Sequence, residues 1–277
     1  PKEIAHFQFL SLIMQRNPLM MRLARCQTPS EPASAKDKHA TDLCMSTLSL
    51  LKLSSICMET LTRDGFEILE ETPRVDLEQE ASGIGKDYVT PTLSSAASDF
   101  THTSAVWLTL RQAGELRAIM GMRYDELGEE AVSDYWKRTY RRQYGAEVSN
   151  HPANLSSILG GNLVYMGDLF FHPDIRRSLS RLMSFVNLAH CLSFTKWKSA
   201  EYIYAFHHRR DVLRGKTDQY GFGNRLSGPQ VWNDGPDYRS AHEYLAVLSR
   251  PDFLHRAQYY VLNPELIQHA DQFSARP

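Results

Sequence analysis

The sequence predicts an α/β domain, and three stretches predict it. In Asn162–Arg181, NLVYMGDLFFHPDIRRSLSR, aliphatic and aromatic residues run into a proline turn and then a helix start. Glu201–Phe206, EYIYAF, reads as a second strand after that helix. Ala105–Leu110 and Leu116–Arg123 alternate in period two on either side of Gln112-Ala113-Gly114-Glu115, the pattern of a hairpin with a glycine in its turn.

The remaining elements follow in chain order. Residues 1–25 place Ile4, Phe7, Leu10, Ser11 and Met14 on one helical face, interrupted by Pro18. Gln27–Lys38 is a linker rich in Pro, Ser and Ala. Thr41–Arg63 reads as a second helix, with Leu43, Cys44, Leu48, Leu51, Ser55, Met58 and Leu61 at helical spacing. Residues 1–63 are thus expected to form an N-terminal helical extension that covers a sheet face or makes a dimer contact, and residues 64–277 the main domain. Phe66–Glu70 reads as the first strand of that domain, and the polar stretch Val75–Phe100 as one or two helices or loops. Asp125–Tyr144 is a charged helical insert carrying Tyr135, Trp136, Tyr140 and Tyr144. In the central stretch Pro173 stops the strand and Asp174 can cap a helix over Arg176–Phe194. Arg209–Gln219 reads as a short helix, and Tyr244–Leu248 and Gln258–Leu262 as closing antiparallel strands.

Composition excludes several classes. The chain has 277 residues, 42% hydrophobic and 23% charged, as a folded soluble protein has. A net charge of −1 provides no general field for nucleic acid. Cys26, Cys44, Cys57 and Cys191 lack C-x-x-C spacing and read as thiols of a reducing, cytoplasmic compartment. No apolar run reaches the ~18 residues of a membrane span. Phe7–Met14 follows Lys2-Glu3 and lacks a cleavage site, so a signal peptide is not expected. No third ligand completes a metal site with His207-His208, and His242-Glu243 is not followed by a histidine at metalloprotease spacing. Gly83-Ile84-Gly85-Lys86 is too short for a phosphate-binding P-loop, and no G-x-S-x-G occurs.

What remains is a set of polar residues around the central strand and the helix after it. A helix start presents free backbone N–H groups and the positive end of a dipole, where an anion can sit. Arg176, Arg177, Ser178, Ser180 and Arg181 cluster there, and arginines are unfavourable at a helix N-terminus unless an anion meets them. Asp168 lies within an otherwise apolar strand, as an amine ligand or base or on a solvated face. His172 precedes Pro173 in the turn. His207 and His208 end the next strand, where either could act as a base near neutral pH. Lys137, Arg138, Arg141 and Arg142 on the aromatic helix make a lid, a nucleic-acid contact or a solvated face.

The order strand, H-P-D-x-R-R, amphipathic helix, strand EYIYAF, short helix and Tyr220-Gly221-Phe222 resembles the core of the GNAT superfamily of CoA-dependent N-acyltransferases, over Gly65 to Val261. The resemblance implies a strongly twisted mixed sheet, mostly antiparallel and flanked by helices. It implies acetyl-CoA or another acyl-CoA as co-substrate, no metal, and a small-molecule amine, amino-acid-like, as acceptor. Its diphosphate motif, R/Q-x-x-G-x-G/A, begins at Arg176, and its two glycines fall on Leu179 and Arg181. The donor is then expected along Phe170, Phe171, His172, Arg176, Arg177, Ser178, Leu179, Ser180 and Arg181. Catalytic candidates are Asp168, His207, His208 and Tyr220, with Thr217 at the position where the family usually has its acid tyrosine. Trp107, Arg123, Tyr124 and Asp125 border the acceptor cleft. Two other readings stay open: a non-catalytic GNAT-like module that binds a metabolite or partner, and a transferase whose donor is not CoA, such as aminoacyl-tRNA. A homodimer is also left open.

Overall fold

Ala113 and Gly114 both take positive φ, 53° and 83°, as a two-residue hairpin turn requires. They join β2 (Ala105–Gln112) to β3 (Glu115–Glu126). The computed structural model to which these strands belong describes residues 35–98, 104–236, 239 and 242–274. The helix expected over 1–25, the apolar stretch Phe7–Met14, Cys26 and most of the linker lie outside the described residues. Contacts divide the chain after Met45. Of the first unit, only the opening of α1 (Ala35–Arg63) is described, and it takes in the last residues of the expected linker.

The second unit, Ser46–Pro277, is built on a seven-stranded sheet. Its other strands are β1 (Glu67–Glu71), β5 (Asn162–Phe171), β6 (Tyr202–His208), β7 (Asn224–Ser227) and β9 (Glu243–Ser249), in the order β1-β2-β3-β5-β6-β9-β7. β5 and β6 run parallel, and every other pairing among the described residues is antiparallel. A separate two-stranded ladder pairs β4 (Glu147–Asn150) with β8 (Val231–Asn233). The mixed, mostly antiparallel sheet expected from the sequence is therefore present.

Alternation along the strands gives each face of the sheet its own core. On one face Val106, Leu108 and Leu110 of β2 pack with Phe185 and Phe194 of α5 (Leu179–Lys196) and Phe253 of α8 (Arg250–Leu262). Leu50, Leu53, Cys57 and Leu61 of α1 complete this core. Of the residues expected at helical spacing, Leu61 is fully buried, whereas Leu48, Leu51 and Met58 are 45%, 56% and 42% exposed. Both stripes have helical period, and contact with the sheet chooses between them. On the other face Trp107, Tyr165 and Tyr204 pack with Trp136 and Tyr140 of α3 (Val132–Tyr144). Between β1 and β2 lies α2 (Val75–Gly83), and a short α4 (Leu155–Ile158) precedes β5. No helix among the described residues is long and apolar enough to cross a membrane.

One expected element differs in kind and two differ in extent. Gln258–Leu262 is the end of α8, not a strand: Ser249 Oγ accepts the Asp252 N–H at 3.2 Å, and Pro251 opens the first turn. The edge strand is instead β7, against Tyr244–Val247 of β9. The helix after β5 also starts later than the sequence suggests. Pro173–Ile175 forms a single 3₁₀ turn capped by His172, whose Nδ1 accepts the Asp174 N–H at 3.3 Å. The long helix then begins at Leu179, where the Ser178 hydroxyl accepts the Arg181 N–H at 3.1 Å. Arg209–Gln219 is broken at Gly215 into α6 (Arg209–Leu213) and α7 (Lys216–Gln219). Two short helices, α9 (Glu265–Gln268) and α10 (Ala270–Ser274), follow α8.

Candidate active site

β5 and β6 pair over only three residues, Leu163–Tyr165 against Tyr202–Tyr204. Beyond that point β5 stays with β3 and β6 with β9, so the two parallel strands part in mid-sheet. A cavity of about 280 Å³ opens in the gap. Val186, Ala205 and Phe222 line it from one core and Tyr165 and Phe206 from the other, so it reaches from one face of the sheet to the other. The edge of the gap is bulged. Gly121 of β3 faces Gly167 and Ile119 faces Phe170, which leaves Asp168 and Leu169 together opposite Met120. Asp168 takes the left-handed conformation, φ 57°, which an aspartate tolerates better than most residues. Gly167 has no room for a side chain, because a Cβ there would lie 2.7 Å from the Tyr165 hydroxyl.

A mixed seven-stranded sheet, a bulged fifth strand leading into a long helix, and a cavity where that strand leaves its parallel neighbour match the sheet architecture that the resemblance to the GNAT superfamily implies. No protein-family model matches the chain, and no curated protein matches its sequence. Among solved structures it is similar to NAA60 of Arabidopsis thaliana in complex with a bisubstrate analogue, at 16% identity over 66% of this chain and 98% of that one, with a TM-score of 0.36. It is similar to an aminoglycoside N(6′)-acetyltransferase of Legionella pneumophila, at 9% identity over 68% and 95%, TM-score 0.40. It is also similar to FeeM, an N-acyl amino acid synthase from uncultured soil microbes, at 11% identity over 70% and 98%, TM-score 0.37.

All four residues expected to be catalytic line this cavity: Asp168, His207, His208 and Tyr220. Their surroundings set them apart. His207 sits on β6 with its ring 5.5 Å from that of Tyr220 and 5.6 Å from that of Phe222. Burial pushes its imidazole down to about 4; Asp211 pulls the other way, and His208 and Lys216 add to the fall. Its Nε2 is buried without a hydrogen-bond partner among the described residues. Burial pushes the Tyr220 phenol up to about 12, and the nearby Asp211 carboxylate adds to the rise. The cavity thus holds a neutral imidazole beside a phenol that keeps its proton. Thr217 is fully buried, with its hydroxyl accepting from Arg225 at 3.3 Å.

Asp168 is engaged instead with the segment that follows α2. Its carboxylate accepts the Lys86 ammonium at 2.6 Å, the Thr90 hydroxyl at 3.0 Å and the Thr90 N–H at 3.0 Å. With three donors on two oxygens it fastens residues 86–90 against the bulge and has little left for a substrate amine. Lys86, Thr90, Tyr165, Arg239 and Glu243, none of them expected from the sequence, also belong to the polar lining. Arg239 lies 3.1 Å from Glu243 and 4.6 Å over the Phe206 ring. Burial works against its charge, but the Glu243 carboxylate and the phenols of Tyr144, Tyr140 and Tyr165 together outweigh it and raise the guanidinium above its ordinary value.

The residues expected at the acceptor edge lie elsewhere. Trp107 is fully buried in the core. Arg123 donates to Asp125 at 2.9 Å, to the Thr92 carbonyl at 3.2 Å and to the Tyr135 hydroxyl. Burial pushes the Asp125 carboxyl up against the pull of Arg123. Tyr124 stacks on Trp197 and shares a hydrogen bond of 2.7 Å with Ser199. On α3, Lys137, Arg138 and Arg141 each lie within 4 Å of a carboxylate, of Asp134, Glu130 and Glu147.

The residues expected to hold the donor form a third group. Phe171 packs edge-on against Phe185, and Arg176 lies over the Phe170 ring while donating to the Phe171 carbonyl at 2.6 Å. His172 caps the 3₁₀ turn, and Arg177 is exposed. The N–H groups at the start of α5 already have an anion. Asp271 of α10 accepts the Leu179 N–H, the Ser180 N–H at 3.3 Å and the Ser178 hydroxyl at 2.7 Å. Burial opposes its charge, but the Ser178 hydroxyl and these two N–H groups hold its carboxyl below the usual range. Arg181 is bound to Asp64 at 2.8 Å and to the Ile175 carbonyl at 2.7 Å. With these carboxylates in place, the residues at the helix start do not fit a diphosphate.

Proposed function

We propose that the protein is an N-acyltransferase that moves an acyl group from a thioester to the amine of a small, amino-acid-like acceptor. The observation that carries this reading is His207: a neutral imidazole with an unpartnered Nε2, facing the cavity between the parted strands. In the reaction the amine attacks the acyl carbonyl, a C–N bond forms and the C–S bond breaks. His207 Nε2 takes the proton the amine loses, and the Tyr220 hydroxyl gives a proton to the departing sulfur. The apolar walls exclude water that would otherwise hydrolyse the thioester. Arg239 and Glu243 on the same cavity supply opposite charges for an acceptor that carries both a carboxylate and an ammonium group.

The test is amine-dependent release of thiol from acyl thioesters across a panel of amino acids and simple amines, with the amide product identified by mass. Release that needs an amine supports the reading. The filled helix start favours a second reading, in which the cavity binds a metabolite without transferring anything. Under that reading ligands from the same panel bind and no thiol is released.

A further inference from the structure

The start of α5 combines a dipole end with two N–H groups and a hydroxyl that converge on one point, and that point is taken by a side chain from the other end of the domain. Asp271 accepts from Ser178, Leu179 and Ser180, and its own N–H donates to Ser180 Oγ at 3.3 Å, so the contact is reciprocal. Two further features make the same place unwelcoming to a second anion. Leu179 and Arg181 stand where glycines would let a backbone approach a diphosphate closely. The one buried-side cation of the turn, Arg181, is spent on Asp64 and on the Ile175 carbonyl. A diphosphate brought to these N–H groups would meet the Asp271 carboxylate at contact distance, where like charges repel.

The cavity itself is untouched by this arrangement, since neither α10 nor residues 176–181 line it. We infer that the protein takes its acyl group from a thioester recognised by its arm alone, with Asp271 occupying the place a donor's diphosphate would need. The inference rests on the acyl-transfer reading above and narrows its donor to thioesters without a diphosphate docked at the helix start.

The test is calorimetric titration of the full chain and of Asp271→Ala with two probes, coenzyme A and pantetheine, which share the thiol arm and differ in the diphosphate. The wild-type protein is expected to bind both with similar affinity. Asp271→Ala is expected to bind coenzyme A at least ~10-fold more tightly than the wild type, because charge-assisted bonds to the freed N–H groups become available. Its affinity for pantetheine should not change. Asp271→Asn, which keeps the shape and removes the charge, guards against misfolding of the alanine variant and should shift coenzyme A in the same direction by less. A wild-type preference for coenzyme A of ~10-fold or more overturns the inference. So does coenzyme A affinity unchanged in both variants while pantetheine binds, an outcome that leaves the acyl-transfer reading standing. Binding of neither probe to any of the three proteins overturns both.

Discussion

The Asp168 carboxylate lies 2.6 Å from the Lys86 ammonium, and the pair ties the segment after α2 to the bulge of β5. The two side chains are 3% and 10% exposed. Removing one charge leaves the other desolvated and alone, at a cost of about 3–5 kcal/mol. Asp168→Asn keeps a residue that tolerates the left-handed backbone, so its loss of stability reports the charge and not strain. Lys86→Met combined with Asp168→Asn should recover part of that loss in a double-mutant cycle. An Asp168→Asn melting temperature equal to that of the wild type would show that the pair does not hold the segment.

The pH dependence of stability follows from His207. An unfolded histidine titrates at about 6.5, and in the folded protein this one titrates at about 4. Between these values the unfolded chain binds the proton and the native chain does not, so stability rises with pH through this window. Acidification from 7 to 4 should therefore cost about 3 kcal/mol through this residue. His190 is buried and shifted in the same direction by burial, and Arg256 adds to its shift, so it steepens the curve. Urea unfolding at pH 7 and pH 4.5 should show His207→Gln losing less stability on acidification than the wild type; equal losses would remove His207 from the explanation.

The orientation of α1 can be checked by a pair of substitutions. Leu53 is fully buried and Leu51 is 56% exposed. Leu53→Ala should cost about 2–5 kcal/mol, whereas Leu51→Ala should stay within about 0.5 kcal/mol of the wild type. Reversed magnitudes would mean that the helix presents its other stripe to the core.

Gly167 tests the shape of the cavity. A methyl group there would meet the Tyr165 hydroxyl at 2.7 Å and its Cζ at 2.9 Å, so the ring, which lines the cavity, must shift. Gly167→Ala should cost about 1–3 kcal/mol of stability and weaken ligand binding. Unchanged affinity for pantetheine would place the bound arm away from Tyr165.

Much of the sheet was legible in the sequence, for local reasons. The hairpin carries alternation and a two-residue turn in Ala113-Gly114, and β5 is an apolar run that ends at a proline. Asn224–Ser227, NRLS, has neither signal, because an edge strand this short is held by β9 and not by its own composition. Gln258–Leu262, QYYVL, is rich in strand formers but continues a helix capped nine residues earlier by Ser249. The same division holds at the site. His207 and Tyr220 were visible because they end a strand and open a Tyr-Gly-Phe turn. Lys86, Arg239 and Glu243 reach the cavity from separate segments with no shared motif. Nothing in Ala270–Ser274, ADQFS, marks Asp271 as the carboxylate that meets the N–H groups of the helix start from 92 residues away.

The most direct measurement is kcat/KM for the best amine of the panel in wild type, His207→Gln and Tyr220→Phe, followed from pH 4 to pH 9. If His207 receives the amine's proton, its replacement should lower the rate by roughly 10²–10⁴-fold, and the wild-type profile should owe its acidic limb to a group near pH 4, not 6.5. Tyr220→Phe should slow the reaction without a new basic limb, since the phenol keeps its proton up to about 12. A His207→Gln enzyme that is correctly folded and retains the full rate, with the acidic limb in place, would contradict the assignment of proton transfer to this cavity.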